Sequence, residues 1–286
     1  MRKLVKQIWN TKGLARWIFL VGLIITILFV VAAIFAPWIA PFDYNQTRDA
    51  AGVKFPKLAP PGGDHWLGTN DQFYDIWSRV VWGARTAVEV VVLSVVFSAL
   101  IGVPLGMVSG FVGGSIDRIL VFLMDALYAF PSLLLAIGFI AVLGANVATL
   151  LGVLALRSWA VHARTVRGSV LLVREQESVL AARALGAGPL RLAFREVLPN
   201  VLAPLVVVAT AQLGAPILLE STLSFLGLGI QPPRPSWGNM LSAGRPYITV
   251  AWWVTAMPGF AILAAVLGAN LLGDGLRDAL DPRLKI

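Results

Sequence analysis

The sequence predicts an all-α polytopic membrane protein: six transmembrane helices, both termini cytoplasmic, and a cytoplasmic helix-turn-helix elbow between spans four and five. Three observations carry that prediction. Of 286 residues, 58% are hydrophobic and only 13% charged, about half the ~25% charge usual for soluble domains. Several uncharged runs exceed the ~18 residues that mark a spanning helix. Lysine and arginine are also concentrated in a few connecting segments, as a fixed orientation in a membrane requires.

The elements follow in order. Residues 1–16 form a basic lead, with Arg2, Lys3, Lys6, Lys12 and Arg16 and no acid. The uncharged run behind it is too long for a signal peptide's apolar core, so it reads as an uncleaved anchor. The first span covers 17–37 and closes at Pro37. Residues 38–85 read as an external loop, broken most clearly at "APPGGD". Its last part, "HWLGTNDQFYDIWSRVVWGAR", mixes Trp66, Phe73, Tyr74, Trp77 and Trp82 with charges and suits an amphipathic stretch at the membrane interface. A five-helix core over 86–273 follows. Its first helix, the second span, lies between Glu89 and Asp117. The third and fourth share 119–163 and hinge at Gly144–Asn146, the fifth runs from Ala203 to Leu219, and the sixth from Val250 to Leu272. Residues 274–286 form a tail.

Charge sets the orientation. The lead has five cations, the segment from Arg157 to Pro199 seven arginines against three glutamates, and the tail adds Arg277, Arg283 and Lys285. The 38–85 segment offers Arg48, Lys54, Lys57, Arg79 and Arg85 against five aspartates. Both ends and the 157–199 region therefore face the cytoplasm. The net charge of +8 is a topology signal and an attraction to anionic lipid, with no nucleic-acid footprint. Cysteine is absent and histidine occurs only at 65 and 162. This excludes disulfides, thiolate zinc and cysteine nucleophiles and argues against a histidine triad or metal site. No catalytic, cofactor-binding or metal-binding residue is expected.

"ESVLAARALGAGPLRLAFREVLPN", residues 177–200, interrupts this apolar chain. Glu177 to Leu185 is rich in helix formers, and Gly186, Gly188 and Pro189 stop it. A second short helix, Leu190 to Leu198, is expected to end at Pro199, where the chain returns to the bilayer. Two roles stay open on these grounds, a connector touching lipid headgroups and a docking elbow for a cytoplasmic partner.

Two acids stand out, Asp125 within the third span and Glu220 at the outer end of the fifth. Asp125 is about two turns from Arg118; it is either hydrated or paired there, or a gate or inter-subunit contact. Glu220 precedes "STLSFLGLGIQPPRPSW", whose glycines and prolines suggest irregular backbone that survives only under protein or water. That segment packs on a neighbouring subunit or lines a pathway mouth. Gly102 and Gly106, around Pro104, suggest close helix packing.

The elbow resembles the EAA loop of ABC-importer permeases, with Ala181, Ala182, Gly186, Leu198 and Pro199 in matching spacing. Leu180 stands where the family has its glutamate, and Glu177 one turn earlier is the candidate substitute. "HWLGTNDQFYDIWSRVVWGAR", "LSFLGLGIQPPRPSWGNML" and "LLGDGLRDALDPRLK" look like hallmarks of the oligopeptide/dipeptide/nickel permease family, its C-type subunit in particular. The resemblance implies a subunit of the bacterial cytoplasmic membrane working with a second, non-identical permease, two ATPase subunits and an extracytoplasmic binding protein. It implies peptide cargo, with nickel chelates and glutathione as alternatives. ATPase coupling then falls to Glu177, Ala181, Ala182, Arg183, Gly186, Leu198 and Pro199, and a pathway or gate role to Asp125 and Glu220. No G-x-x-x-x-G-K-[ST] occurs, so the chain lacks a phosphate-binding P-loop; ATP and magnesium would belong to the partner ATPases. An ion-coupled carrier would favour several buried acids and paired repeats, and a membrane enzyme would need a nucleophile–base cluster.

Overall fold

The computed structural model describes residues 14–280. The cations expected at 2, 3, 6 and 12 and at 283 and 285 lie outside the described residues. Within them the chain is helical, with three isolated bridges between short extended pieces.

α1 (Leu14–Ile34) and the short α2 (Ala36–Ile39) lead into an irregular segment up to Asp75. α3 then runs unbroken from Ile76 to Val112, with Pro104 inside it. The stretch expected at the membrane interface up to residue 85 therefore overlaps this helix, whose 37 residues are long and apolar enough to cross a membrane. Asp75 caps it by accepting from the Ser78 amide at 2.7 Å. Ile76 and Ala84 are buried in a cluster with Trp237 and Trp253. Of that aromatic–charge mixture, Asp75 and Arg79 are buried, Phe73, Tyr74, Trp77 and Trp82 are partly buried, and Trp66 and Arg85 are exposed.

The irregular segment is stitched to α3. His65 Nδ1 lies 2.9 Å from Asp75 Oδ1, and the Phe42 amide donates to Ser78 Oγ at 3.2 Å. Phe42, Phe55 and His65 stack on one another.

α4 (Gly114–Ala129) and α5 (Ser132–Leu143) form a pair bent by 93°. The expected hinge at Gly144–Asn146 is thus preceded by another bend at Phe130–Pro131. A residue before proline is driven out of the helical region, and Phe130 has φ −87° and ψ 132°. Asn146 caps α6 (Val147–Val173), its side chain accepting from the Thr149 amide at 2.8 Å.

α7 (Glu177–Ala184), α8 (Pro189–Arg191), a π-helical turn over Leu192–Val197, α9 (Leu198–Ala211) and α10 (Gly214–Phe225) follow. α11 (Trp237–Gly244) leads through a 3-10 turn to α12 (Trp253–Leu280). The helix expected from residue 203 therefore begins earlier, within a 37-residue stretch from Pro189 to Phe225 that is long and apolar enough to cross a membrane.

Among the described residues, four helical stretches are long and apolar enough to cross a membrane, and the bent α4–α5 pair makes a fifth when counted as one span. α6 is long enough, at ~40 Å by helical rise, but it carries Arg157, Arg164 and Arg167. Its contact with α3 is the most extensive helix pairing among the described residues. Small residues recur every fourth position on the facing side of α3: Ser94, Ser98, Gly102, Gly106 and Gly110, all buried. A Cβ on Gly106 would sit 2.5 Å from the Ala163 carbonyl oxygen, so only glycine permits this approach.

Candidate functional site

Three features carry the polar chemistry of the fold. The first is the elbow. α7 ends in a Schellman turn: the Ala187 amide donates to the Ala182 carbonyl and the Gly186 amide to the Arg183 carbonyl, both at 3.0 Å. Gly186 has φ +85°, a left-handed conformation that disfavours any side chain with a Cβ. Val179 is fully buried among Val166, Val170, Val197 and Val201, and Ala182 packs on the same cluster. Ala182 thus faces this chain's own core. The opposite face presents Glu177, Leu180, Ala181, Ala184 and Leu185, all exposed, and Arg183 is exposed beside them. Leu180, in the position of the family's glutamate, is on that outer face with Glu177 one turn before it.

The elbow does not end at Pro199. The Leu198 amide reaches back five residues to the Ala193 carbonyl, which closes the wide turn and lets α9 start with Pro199 in its first turn. Proline is well tolerated in a first turn, where its fixed φ suits the helix. Pro199 is exposed and Leu198 partly buried.

The second feature is a ladder between α4 and α6. Arg167 binds Asp117 through Nε and Nη2, at 2.6 and 2.8 Å, and Ser109 of α3 also donates to Asp117. Arg164 Nη2 donates to Asp125 Oδ1 at 2.6 Å. Asp125 is therefore paired, but across to α6. Arg118 instead donates to Ser115. At the third rung Tyr128 lies under two cations, with the guanidinium carbons of Arg164 and Arg157 5.1 and 5.4 Å from its ring centroid. Beside this rung is a cavity of about 660 Å³, walled by the α4–α5 bend, α6 and the break between α9 and α10. Tyr128, Ser132, Arg157, Ser158, Gln212 and Thr222 are among its lining.

The third feature is Glu220, with 2% of its surface exposed. Ser224 Oγ and Ser236 Oγ donate to its Oε1 at 2.6 and 2.7 Å, and Ser221 Oγ reaches Oε2 at 3.3 Å. Ser224 Oγ also accepts from the Ile230 amide at 3.0 Å. One carboxylate therefore pins the irregular 226–236 segment back onto α10. Asn239 donates to the Ile230 carbonyl, and Arg234 pairs with Glu89 of α3. Glu220 does not line the cavity beside Arg157.

Residues 102–286 match the family described as "Binding-protein-dependent transport system inner membrane component". That is well over half of the chain, and it contains the elbow, the ladder and Glu220. The chain belongs to this family of membrane permeases. Residues 14–61 match the N-terminal transmembrane domain of oligopeptide transport permease C.

The permease is 42% identical to the dipeptide transport system permease protein DppC of Alkalihalophilus pseudofirmus, over 93% of this chain and 86% of that one. It is 44% identical to the di/tripeptide transport system permease protein DppC of Pseudomonas aeruginosa, over 92% of this chain and 88% of that one. Among solved structures, a chain of the MetNI methionine ABC transporter in inward-facing conformations aligns with TM-score 0.54 at 19% identity, covering 72% of the permease and 98% of that chain. The shared fold is that of an ABC transporter. The permease is a transport subunit of the membrane and not a catalytic enzyme.

Sequence reasoning missed three cations. It passed over Arg157 and the Asp117–Arg167 pair, and it counted Arg79 among loop charges. Arg79 is 7% exposed, with its guanidinium carbon 4.4 Å from the Tyr74 ring centroid. The seven-residue spacing from Arg157 to Arg164 and three more to Arg167 places all three on one helical face; that periodicity was the available signal.

Proposed function

We propose that the permease is one of two non-identical membrane subunits of an ATP-driven importer for di- or oligopeptides, powered through its elbow by partner ATPases that hold the ATP and magnesium. The observation that carries the coupling role is the elbow's outer surface. Leu185 is 90% and Leu190 75% exposed, at a turn held rigid from beneath by Val179. Large apolar side chains grouped beside Arg183 and Arg191 on a cytoplasmic surface fit a partner's groove. Glu177, Leu180, Ala181 and Ala184 form the docking face. Ala182 and Gly186 shape it from within, and Leu198 and Pro199 join it to the span. ATP-driven closure of the ATPases draws the elbows of the two permeases together and opens the pathway outward. Hydrolysis resets it.

The six-span arrangement completes this reading: α1, α3, the bent α4–α5 pair, α6, α9–α10 and α12, with both ends cytoplasmic. α6 serves as the fourth span because Arg164 and Arg167 are neutralised by α4. Peptide cargo is supported by the relatives, which are named for dipeptide and di/tripeptide transport. A binding protein delivers that cargo from outside.

The test is reconstitution of the permease with its partner permease, ATPases and binding protein in liposomes. ATP-dependent peptide accumulation that vanishes when the ATPases are omitted is expected. Accumulation driven by a proton or sodium gradient without them would overturn the reading.

A further inference from the structure

The α4–α6 ladder holds three arginines but two carboxylates. Arg167 holds Asp117 and Arg164 holds Asp125. At the third rung α4 presents Tyr128, whose ring attracts the Arg157 guanidinium without neutralising it. Among the described residues, no carboxylate forms an ion pair with Arg157. The rung that lacks an acid is also the one that opens on the cavity, and the residues lining that cavity include no aspartate or glutamate. A cation at membrane depth is costly unless something of opposite charge or strong dipole meets it.

We infer that Arg157 is the anion-receiving group of the translocation cavity, and that its ligand is a carboxylate on the solute in transit. Building on the proposed peptide import, this is the C-terminal carboxylate of a short peptide. Several features support this assignment. A guanidinium presents a planar fork that matches a carboxylate with two parallel hydrogen bonds. Ser132, Ser158 and Gln212 line the same space and supply neutral partners for a peptide's amides. At about 660 Å³ the cavity lies within the ~300–1,000 Å³ of ordinary small-molecule sites. Arg157 is only partly buried, which suits a contact that must release its ligand.

The chain has no cysteine, so Ser132→Cys places a single thiol in this subunit, at the cavity wall. In the assembled, reconstituted transporter, that thiol is labelled with an anionic sulfonatoethyl or a cationic trimethylammonioethyl methanethiosulfonate, and the label on this subunit is read by mass. Adding Arg157→Gln is expected to lower the anion-to-cation rate ratio about fivefold or more. Arg157→Lys, which keeps the charge, should largely preserve the ratio and so separates a charge effect from a folding defect. Dialanine should slow the anionic reagent, whereas alanyl-alaninamide should not. ATP-driven uptake of dialanine should fall about tenfold in Arg157→Gln. A ratio indifferent to Arg157 overturns the inference, because an acid of the partner permease then already neutralises the group. Equal slowing by dialanine and its amide overturns the carboxylate assignment. Should the wild-type transporter fail to import dialanine, the peptide reading falls. The labelling ratio needs no cargo and still decides whether the cavity presents Arg157 as a free charge.

Discussion

Arg167 of α6 grips Asp117 of α4 with both arms of its guanidinium, at 2.6 and 2.8 Å, and the two residues are 50 positions apart in the chain. Only this kind of planar, two-point bond fixes the rotation of one helix against another as well as their distance. Arg167→Lys keeps the charge but loses the fork. A double-mutant cycle with Asp117→Asn, read by thermal unfolding in detergent, is expected to give a coupling of about 1–3 kcal/mol. Strictly additive single effects would show that the pair is incidental.

The α3–α6 seam makes a sharper prediction. Gly106→Ala drives a Cβ to 2.5 Å from the Ala163 carbonyl oxygen, whereas a Cβ on Gly152 of α6 meets nothing within 4 Å. Gly106→Ala should therefore reduce the yield of monodisperse protein and its melting temperature. Gly152→Ala should be neutral or stabilise by ~0.5–1 kcal/mol, since alanine loses less backbone freedom in a helix. Size-exclusion profiles of the two variants decide the matter, and similar profiles would contradict the close approach.

At the elbow, Gly186 has φ +85° with open space where a Cβ would go. Gly186→Leu is then penalised by backbone conformation alone, by ~1–2 kcal/mol. Gly186→Asn should be milder, because asparagine tolerates that region. ATPase co-purification and uptake should follow the order Gly, Asn, Leu. Leu185→Glu is the companion test of the docking face: it leaves the turn intact and is expected to abolish co-purification. Ala182→Glu would also weaken coupling, but by dislodging α7 from its own cluster, and it should lower thermal stability where Leu185→Glu does not.

Glu220 collects three serine hydroxyls while almost wholly buried. Glu220→Gln keeps an acceptor for Ser224 and Ser236 and should cost little. Glu220→Leu strands all three hydroxyls, each worth ~1–3 kcal/mol when buried and unmet. Limited proteolysis should then cut within 226–236 in the leucine variant first. Equal protection in both would show that the segment is held by other contacts.

What could be read from the sequence was chemistry that acts over a few residues. The stop at Gly186 needs only its own positive φ and the proline that follows, so it was visible. Asp125 was read against Arg118 because that cation is its neighbour in sequence, yet its partner is Arg164, 39 positions away. Residues 76–85 carry the composition of an interfacial stretch, yet Ile76 and Ala84 are buried in a cluster with Trp237 and Trp253, which arrive from much later in the chain. Pro199 shows a local rule overridden locally: proline ends a regular helix, but one wide turn ahead of it restarts the count. Arg157 escaped notice because what marks it is a missing acid on α4, and a missing partner exists only once helices are paired.

The wide turn before Pro199 has a mechanical consequence. With no joint between the elbow and α9, a push at Leu185 is not absorbed at the membrane surface. Pro189 to Phe225 is a 37-residue stretch; it carries Pro204 inside α9 and breaks at Gln212–Leu213, on the wall of the Arg157 cavity. The ATPases would thus work on a shaft that breaks beside the cargo.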